Sequence, residues 1–280
     1  MTRITRITVA ALTVSLVAAA APAVASARTR TVTISGATAS YPLVSLLAQR
    51  YVKLHPKKDK IRFKITQGGT TVGISDVASG RVTMADVSRE PISSDFGKGL
   101  VFYPIARYAI CVITNSSNPV ASLTQSQLTG VFTGTIKTWS ELASDGVSGI
   151  TATGPISVVT RTSVAGVLTS FKTLLLEGKS VEKSATEEAT EGLEKQAVKG
   201  NPAAIGFVSN YQVELGGVHA AKIGSVTCDK AEAISGAYPG VARFYEVTHH
   251  DATGAARWFI SWIEHSRAAA KIIDSRWITA

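Results

Sequence analysis

The chain is poor in most of the residues that announce a chemistry. Two cysteines occur in 280 residues, Cys111 and Cys228, and neither has a histidine or second cysteine at metal-ligand spacing. Thiolate catalysis and thiolate metal sites are therefore not expected. The pair has two readings. One is a disulfide closing a separation of 117 residues, worth ~4 kcal/mol in the chain-entropy picture; the other is two buried thiols in separate strands. No G-x-S-x-G elbow, H-E-x-x-H or P-loop occurs, which removes the commonest hydrolase and nucleotide-binding signatures. His219 and His265 have no carboxylate or histidine four residues on. The adjacent His249 and His250, read as extended chain, should face opposite ways, so no metal is expected. After the first 27 residues no stretch approaches the ~18 uninterrupted apolar residues of a membrane span. No repeat of solenoid period and no low-complexity tract appears. Acidic residues are also short, 20 against 29 Lys and Arg, for a net charge of +9. That excess favours anionic partners. Nucleic acid is the weaker reading, because the basic residues are scattered and the tightest group (Lys57, Lys58, Lys60, Arg62) resembles a solvated turn.

What is present starts with an export leader over 1–27. Arg3 and Arg6 form a basic n-region, Val9–Ala21 an apolar run, and Ala25-Ser26-Ala27 an A-x-A cleavage site. Cleavage after Ala27 leaves 253 residues carrying +7, a length that usually divides into two cores. No cysteine lies near the cleavage site, so no lipid anchor is expected there. The chain reads as secreted, and without an anchor a periplasm suits it better than open medium.

One grammar then recurs along the chain. Val32–Pro42 reads VTISGATASYP: a β-branched strand, a small hydroxyl-rich turn, then a helix from Tyr41 with Ser40 as N-cap and Pro42 in the first turn. QGGTTVG at Gln67–Gly73 follows strand Ile61–Thr66, and VVTRTSVAG at Val158–Gly166 repeats the pattern with an arginine built in. Strand Val82–Val87 delivers Ser88-Arg89. Helix starts present free N–H groups and a positive dipole end to anions. Four strand ends with such donors suggest one shared anion site.

Alternating strands and helices argue for a mostly parallel α/β sheet covered on both faces. Leu100–Thr114, broken by Pro104 and Arg107, reads as two strands in sequence, and Tyr238–Thr248 has a similar make-up. They bracket an insert and suggest a two-strand hinge between lobes. Within the insert, Thr124 and Gln127 form a capping box. Glu188–Lys199 reads as a charged surface helix, with carboxylates such as Glu187 and Glu188 solvated. Ala252–Ser266 is a helix whose stripe of Trp258, Phe259, Trp262 and Ile263 is core.

Taken together, ISGATASYPLV, GGTTVGISDVASGRV, VSRE, ITNSSNPVASLTQSQLTGVFTGTIKTWSEL, VVTR, NPAAIGFVS and YPGVARFYEVT resemble, in order, the phosphate-binding proteins of bacterial ABC uptake systems. The resemblance covers most of Thr31–Thr248. It implies the α/β, two-lobed, class II periplasmic-binding-protein fold, with two doubly wound sheets joined by a two-strand hinge. Lobe I would comprise 28–107 plus 240–280, and lobe II 108–239. It implies an oxyanion, phosphate first, held in the inter-lobe cleft, and handed to an ABC permease by a monomer without cofactor. The family's binding positions fall on Thr38, Ala39, Thr70, Ser88, Arg161 and Gly166, with Ser163 nearby. Secondary candidates are Ser40, Thr71, Arg89, Ala165 and Val167. Where the family reads serine-glycine-threonine at a helix start, this chain has Ala165, Gly166 and Val167. Two hydroxyls are thus missing, each worth ~1.5–3 kcal/mol against a charged ligand. Thr162 and Ser163 are the nearest substitutes. Ser88 stands where some members carry an acid, and Thr71 where glycine is usual. No enzymatic activity is expected. The alternatives are a degenerate member acting as a surface or interaction protein without a small ligand and, less favoured, a secreted phosphoester hydrolase.

Overall fold

The computed structural model describes residues 29–56 and 61–280; the leader over 1–27 lies outside the described residues. The first half runs β1 (Arg30–Gly36), α1 (Tyr41–Leu54), β2 (Ile61–Gln67), α2 (Thr70–Ala78), β3 (Met84–Val87) and the long β4 (Leu100–Asn115), with one 3-10 turn at Ser93–Asp95. The second half begins with β5 (Ser122–Leu123), α3 (Gln125–Phe132), α4 (Trp139–Ser144), β6 (Ser157–Arg161), α5 (Gly166–Leu175), β7 (Thr186–Glu188) and α6 (Glu191–Gly200). It continues through β8 (Ala204–Ser209), α7 (Asn210–Glu214), β9 (Val218–Ala220), β10 (Lys222–Ile223), α8 (Lys230–Ser235) and β11 (Val241–His249). Helices α9 (Gly254–His265) and α10 (Arg267–Arg276) close the chain.

The strands order as β2-β1-β3-β11-β4-β8-β6-β7, with β9 also on β4. Pairs β1–β2, β1–β3, β6–β8 and β6–β7 are parallel, whereas β11 runs antiparallel to both β3 and β4. The two expected sheets therefore share a strand. Leu100–Ala109 of β4 pairs with β11, and Ile110–Thr114 pairs with β8. The expectation of two strands over Leu100–Thr114 is corrected by this: one unbroken strand pairs with β11 and then with β8. Pro104 does not break it because the register with β11 shifts between Phe244 and Tyr245. A bulge is a place where a missing N–H is tolerated.

Several local signals hold. Thr124 and Gln127 form the reciprocal cap of α3, and Thr138 with Glu141 does the same for α4. Gly80, at φ 72°, ends α2. Cys111 and Cys228 form a disulfide with Cα atoms 5.5 Å apart, which ties the middle of β4 to the turn before α8. Phe259 and Ile263 of α9 are buried, and Tyr51, Phe63, Phe259 and Trp262 pack ring to ring. Trp258 lies at the edge of that stripe, 39% exposed, with the Arg30 guanidinium 4.9 Å from its ring centre.

Other expectations are corrected. Ser40 stands at the N-cap position of α1 but its hydroxyl does not cap; it donates to the Ala37 carbonyl at 3.3 Å. The helix read over Glu188–Lys199 starts at Glu191, with Glu187 and Glu188 on β7, and its Glu191, Glu194 and Lys195 are buried rather than solvated. His249 and His250 do not face apart: His250 has φ 59°, which turns the chain and stacks the two rings at 4.1 Å. Ser266 is extended and caps a new helix, α10, by accepting from the Ala268 N–H.

Candidate functional site

Three strand ends of the first half are tied into one corner. The Gly36 carbonyl accepts from the N–H groups of Gly68 (3.0 Å) and Gly69 (2.8 Å), and the Ala37 N–H donates to the Asp86 carbonyl at 3.0 Å. Glycine is required at 36, where a Cβ would stand 2.1 Å from the Asp86 oxygen. Thr38 follows, then Ala39 (buried) and α1. Thr70 is the first residue of α2 and fully buried. The Ser88 N–H donates to Thr70 Oγ1 at 3.2 Å, and the two hydroxyls are 3.3 Å apart. Behind Ser88, its carbonyl accepts from the Tyr108 hydroxyl at 2.8 Å and the Ser170 hydroxyl at 3.2 Å. Desolvation raises the Tyr108 phenol far above its ordinary pKa, so it remains a donor.

The second half brings β6 and α5 against this corner. Arg161, the last residue of β6, is fully buried. Its Nε donates to the Glu188 carbonyl at 3.1 Å, and its Nη2 to the Ala189 carbonyl at 2.8 Å and to Thr38 Oγ1 at 3.0 Å. Nη1 is buried and has no hydrogen-bond partner among the described residues. The start of α5 touches the corner directly. A Cβ on Gly166 would lie 2.4 Å from Thr70 Oγ1 and 2.8 Å from Ser88 Oγ. Beside it, the Thr71 N–H donates to the Val164 carbonyl at 3.1 Å. The described arrangement is thus a closed seam. The hollow of about 460 Å³ between α1 and β2, lined by Tyr41, Ala48 and Phe63 among others, contains none of these donors.

Helix α6 lies behind the arginine. Glu194 Oε1 accepts from the Phe207 N–H at 2.9 Å, and its Oε2 is 3.8 Å from Arg161 Nε without a hydrogen bond. Glu191 accepts from the Ser209 N–H at 3.0 Å and the Ser209 hydroxyl at 2.8 Å. Burial pushes both carboxyls above their ordinary range, and the Arg161 charge pulls both part of the way back. A second buried acid pair lies two residues upstream of Ser88, where Asp86 of β3 stands opposite Glu246 of β11. Burial raises Asp86 to about 7 and, with the neighbouring Asp86 charge, raises Glu246 well above its usual value. Two carboxyls buried opposite each other disfavour ionising together.

The sequence pattern of the PBP superfamily domain matches residues 20–266. The chain belongs to the PBP superfamily. The phosphate-binding protein PstS of Bacillus subtilis is 26% identical over 246 residues, covering 87% of this chain and 78% of that protein. Among solved structures, a phosphate ABC transporter substrate-binding protein from Clostridium perfringens, with phosphate bound, superposes at TM-score 0.81 with 26% identity. It covers 90% of this chain and 100% of that one. An ABC-type phosphate transport receptor from Vibrio cholerae superposes at 0.71, also at 26% identity, over 89% and 100% of the two chains. The PBP fold is therefore the two-lobed α/β fold expected, and the superfamily relatives are transport solute-binding proteins.

Within this PBP fold, the sequence-derived residues divide. Thr38, Thr70, Ser88, Arg161 and Gly166 meet in the seam. Ala39 is packed at the start of α1, and Ala165 is the N-cap of α5 with no side chain to cap it. Thr71 contributes its N–H to the Val164 carbonyl ahead of α5, and its side chain is exposed. Ser40 is turned to Ala37. Ser163 is exposed, and Val167 packs in the main core. The Arg89 guanidinium is committed to Asp95, at 2.6 and 3.0 Å, and to the Glu90 carbonyl at 2.9 Å. That is a local ion pair, six residues apart in sequence, and it leaves the guanidinium away from the seam. Sequence reading missed Glu191, Glu194, Tyr108, Ser170 and the Val164 carbonyl. The i, i+3 spacing of Glu191 and Glu194 was visible but matches an ordinary solvated face.

Proposed function

We propose that this PBP-superfamily chain captures inorganic phosphate between its lobes and passes it to an ABC permease. The observation that carries this reading is Arg161 Nη1, a buried guanidinium nitrogen without a hydrogen-bond partner among the described residues, at a seam lined by Thr38, Thr70, Ser88 and Gly166. A buried N–H donor left without an acceptor is costly, so an anion that accepts from Nη1 is the ligand that completes the site. The N-terminal N–H groups of α2 and α5 add donors and a favourable dipole. Binding is non-covalent: hydroxyls, amides and the guanidinium replace the anion's hydration, and closure buries it. This mode of binding calls for no activated nucleophile, whereas a hydrolase would need one. The Bacillus, Clostridium and Vibrio relatives are phosphate-binding or phosphate-transport proteins, which supports phosphate over other oxyanions.

Lobe I is assigned to 28–107 plus 240–280 and lobe II to 108–239, with crossings on β4 and the segment before β11. Export follows from the leader over 1–27, with cleavage after Ala27 and a periplasmic destination. Calorimetric titration with phosphate and sulfate tests the reading. Phosphate is expected to bind, and Arg161→Gln to weaken it by more than ~100-fold, since loss of a charged hydrogen-bonding partner costs ~3 kcal/mol or more in a desolvated site. Heatless titration with every oxyanion tried would instead favour a member that has lost its small ligand.

A further inference from the structure

Arg161 and Glu194 form an incomplete pair. Both side chains are buried, at 1% and 0% exposure, and Nε and Oε2 are 3.8 Å apart. Yet the Nε proton goes to the Glu188 carbonyl, Nη2 serves Thr38 and Ala189, and neither Nη1 nor Glu194 Oε2 has a hydrogen-bond partner among the described residues. Glu191 differs, because both of its oxygens accept from Ser209. One guanidinium thus faces two buried carboxyls, one satisfied and one half-satisfied.

The groups around Glu194 make its charge unfavourable. From β6 it faces Arg161, from β7 the Glu188 carboxylate, and on its own helix Glu191. From β8 it receives only the Phe207 N–H. From β4, the Tyr108 phenol is close enough to Glu191 to feel its charge. With both carboxyls ionised, the cluster holds one positive charge against two buried negative ones before any anion arrives. A phosphate on Nη1 adds more negative charge to the same desolvated seam, and like charges there disfavour one another. The least costly relief is protonation of the carboxyl whose oxygen lacks a donor.

We propose that phosphate capture at Arg161 is coupled to uptake of one solvent proton on Glu194 Oε2, making Glu194 a positioning residue that releases the guanidinium to the anion when neutral. This rests on the proposed phosphate binding. The consequence is directional. While Glu194 is protonated, Arg161 presents its full charge to the ligand. Once Glu194 ionises, it competes for that charge and affinity falls as pH rises. Burial raises Glu194 well above the ordinary glutamate range, which brings this competition toward the pH at which an exported protein works.

The test is calorimetric titration of phosphate from pH 6 to 9, in buffers of differing ionisation enthalpy, on the full chain and on Glu194→Gln. Glutamine keeps a carbonyl for the Phe207 N–H and mimics the neutral acid. Phosphate's own ionisation is common to both proteins and drops out of the comparison. The wild type should weaken up to tenfold more per pH unit than the variant where Glu194 titrates, and should take up as much as one more proton. Equal pH profiles and proton counts would overturn the coupling while leaving phosphate binding intact. Absence of phosphate binding by the wild type at every pH would instead remove the reading on which it rests. Infrared difference spectra of the wild type, phosphate-bound minus free, need no variant that folds. Gain of a protonated-carboxyl band at alkaline pH is expected, and a flat carboxyl region overturns the proposal.

Discussion

Gly166→Ala separates closure from folding. Gly166 opens α5, and a methyl group there would stand 2.4 Å from Thr70 Oγ1, 2.8 Å from Ser88 Oγ and 2.9 Å from Thr70 Cβ, all across the seam. Ordinary carbon contacts lie near 3.5–4.0 Å, so the closed seam must open by several tenths of an ångström or more. Thr70 cannot swing aside easily, because its β-branched side chain starts α2 and Oγ1 accepts the Ser88 N–H. Overpacking of this kind costs ~1–3 kcal/mol, equivalent to ~5- to 150-fold in affinity. A form with α5 drawn away from Thr70 and Ser88 would carry none of this strain. Gly166 lies within a helix, and alanine there is neutral or up to ~1 kcal/mol better for helix stability. Gly166→Ala should therefore bind phosphate ~5- to 150-fold more weakly by calorimetry, while its thermal midpoint without ligand stays level or rises. Small-angle scattering should show the phosphate-induced compaction diminished. Gly192→Ala in α6 is the control, since its nearest neighbour would be 3.9 Å away. If Gly166→Ala bound phosphate as tightly as the wild type, the seam would not be the ligand-bound geometry.

Three further outcomes are expected. Ala165→Ser restores a side-chain N-cap to α5, worth ~0.5–2 kcal/mol, and should raise the thermal midpoint and tighten phosphate binding; no change in either would show that the hydroxyl cannot reach the helix end. Asp86 and Glu246 are both raised by burial, Asp86 to about 7, so their stabilising effect is full below the unfolded carboxyl range near ~4 and is lost as pH climbs through 7. Urea midpoints should fall across that interval, at up to ~1.4 kcal/mol per pH unit for one proton, and Asp86→Asn should flatten the slope; an unchanged slope would place the titration elsewhere. Reducing Cys111–Cys228 should lower unfolding free energy by ~4 kcal/mol, measured by denaturant titration with and without reductant, and a shift under ~1 kcal/mol would mean the unfolded chain gains little freedom.

The features legible in the sequence were those carried by neighbouring residues. SGATAS, GGTT and VTRT announce their turns because glycine and hydroxyl residues are needed within a few positions of one another, and Thr124 and Gln127 specify their cap alone. The disulfide partners were the only pair available. What stayed hidden depends on packing between distant segments. Whether Glu191 and Glu194 face water or Arg161 is decided by where α6 lands on β6 and β8, and helical spacing is the same in both cases. The continuity of β4 depends on a bulge at Ile105, beside Pro104, whose place is set by the register with the distant β11. His249 and His250 stack because one residue adopts a left-handed turn that histidine only occasionally takes. Arg89 looked like an anion ligand by position, yet Asp95, six residues on, takes its guanidinium.

The most direct check is a crystal structure grown with phosphate. Tetrahedral density is expected between the lobes, within hydrogen-bonding distance of Arg161 Nη1, the Thr38, Thr70 and Ser88 hydroxyls and the Gly166 N–H. Density bound elsewhere, or a seam that stays dry with Arg161 Nη1 turned onto Glu194, would contradict anion capture at this seam.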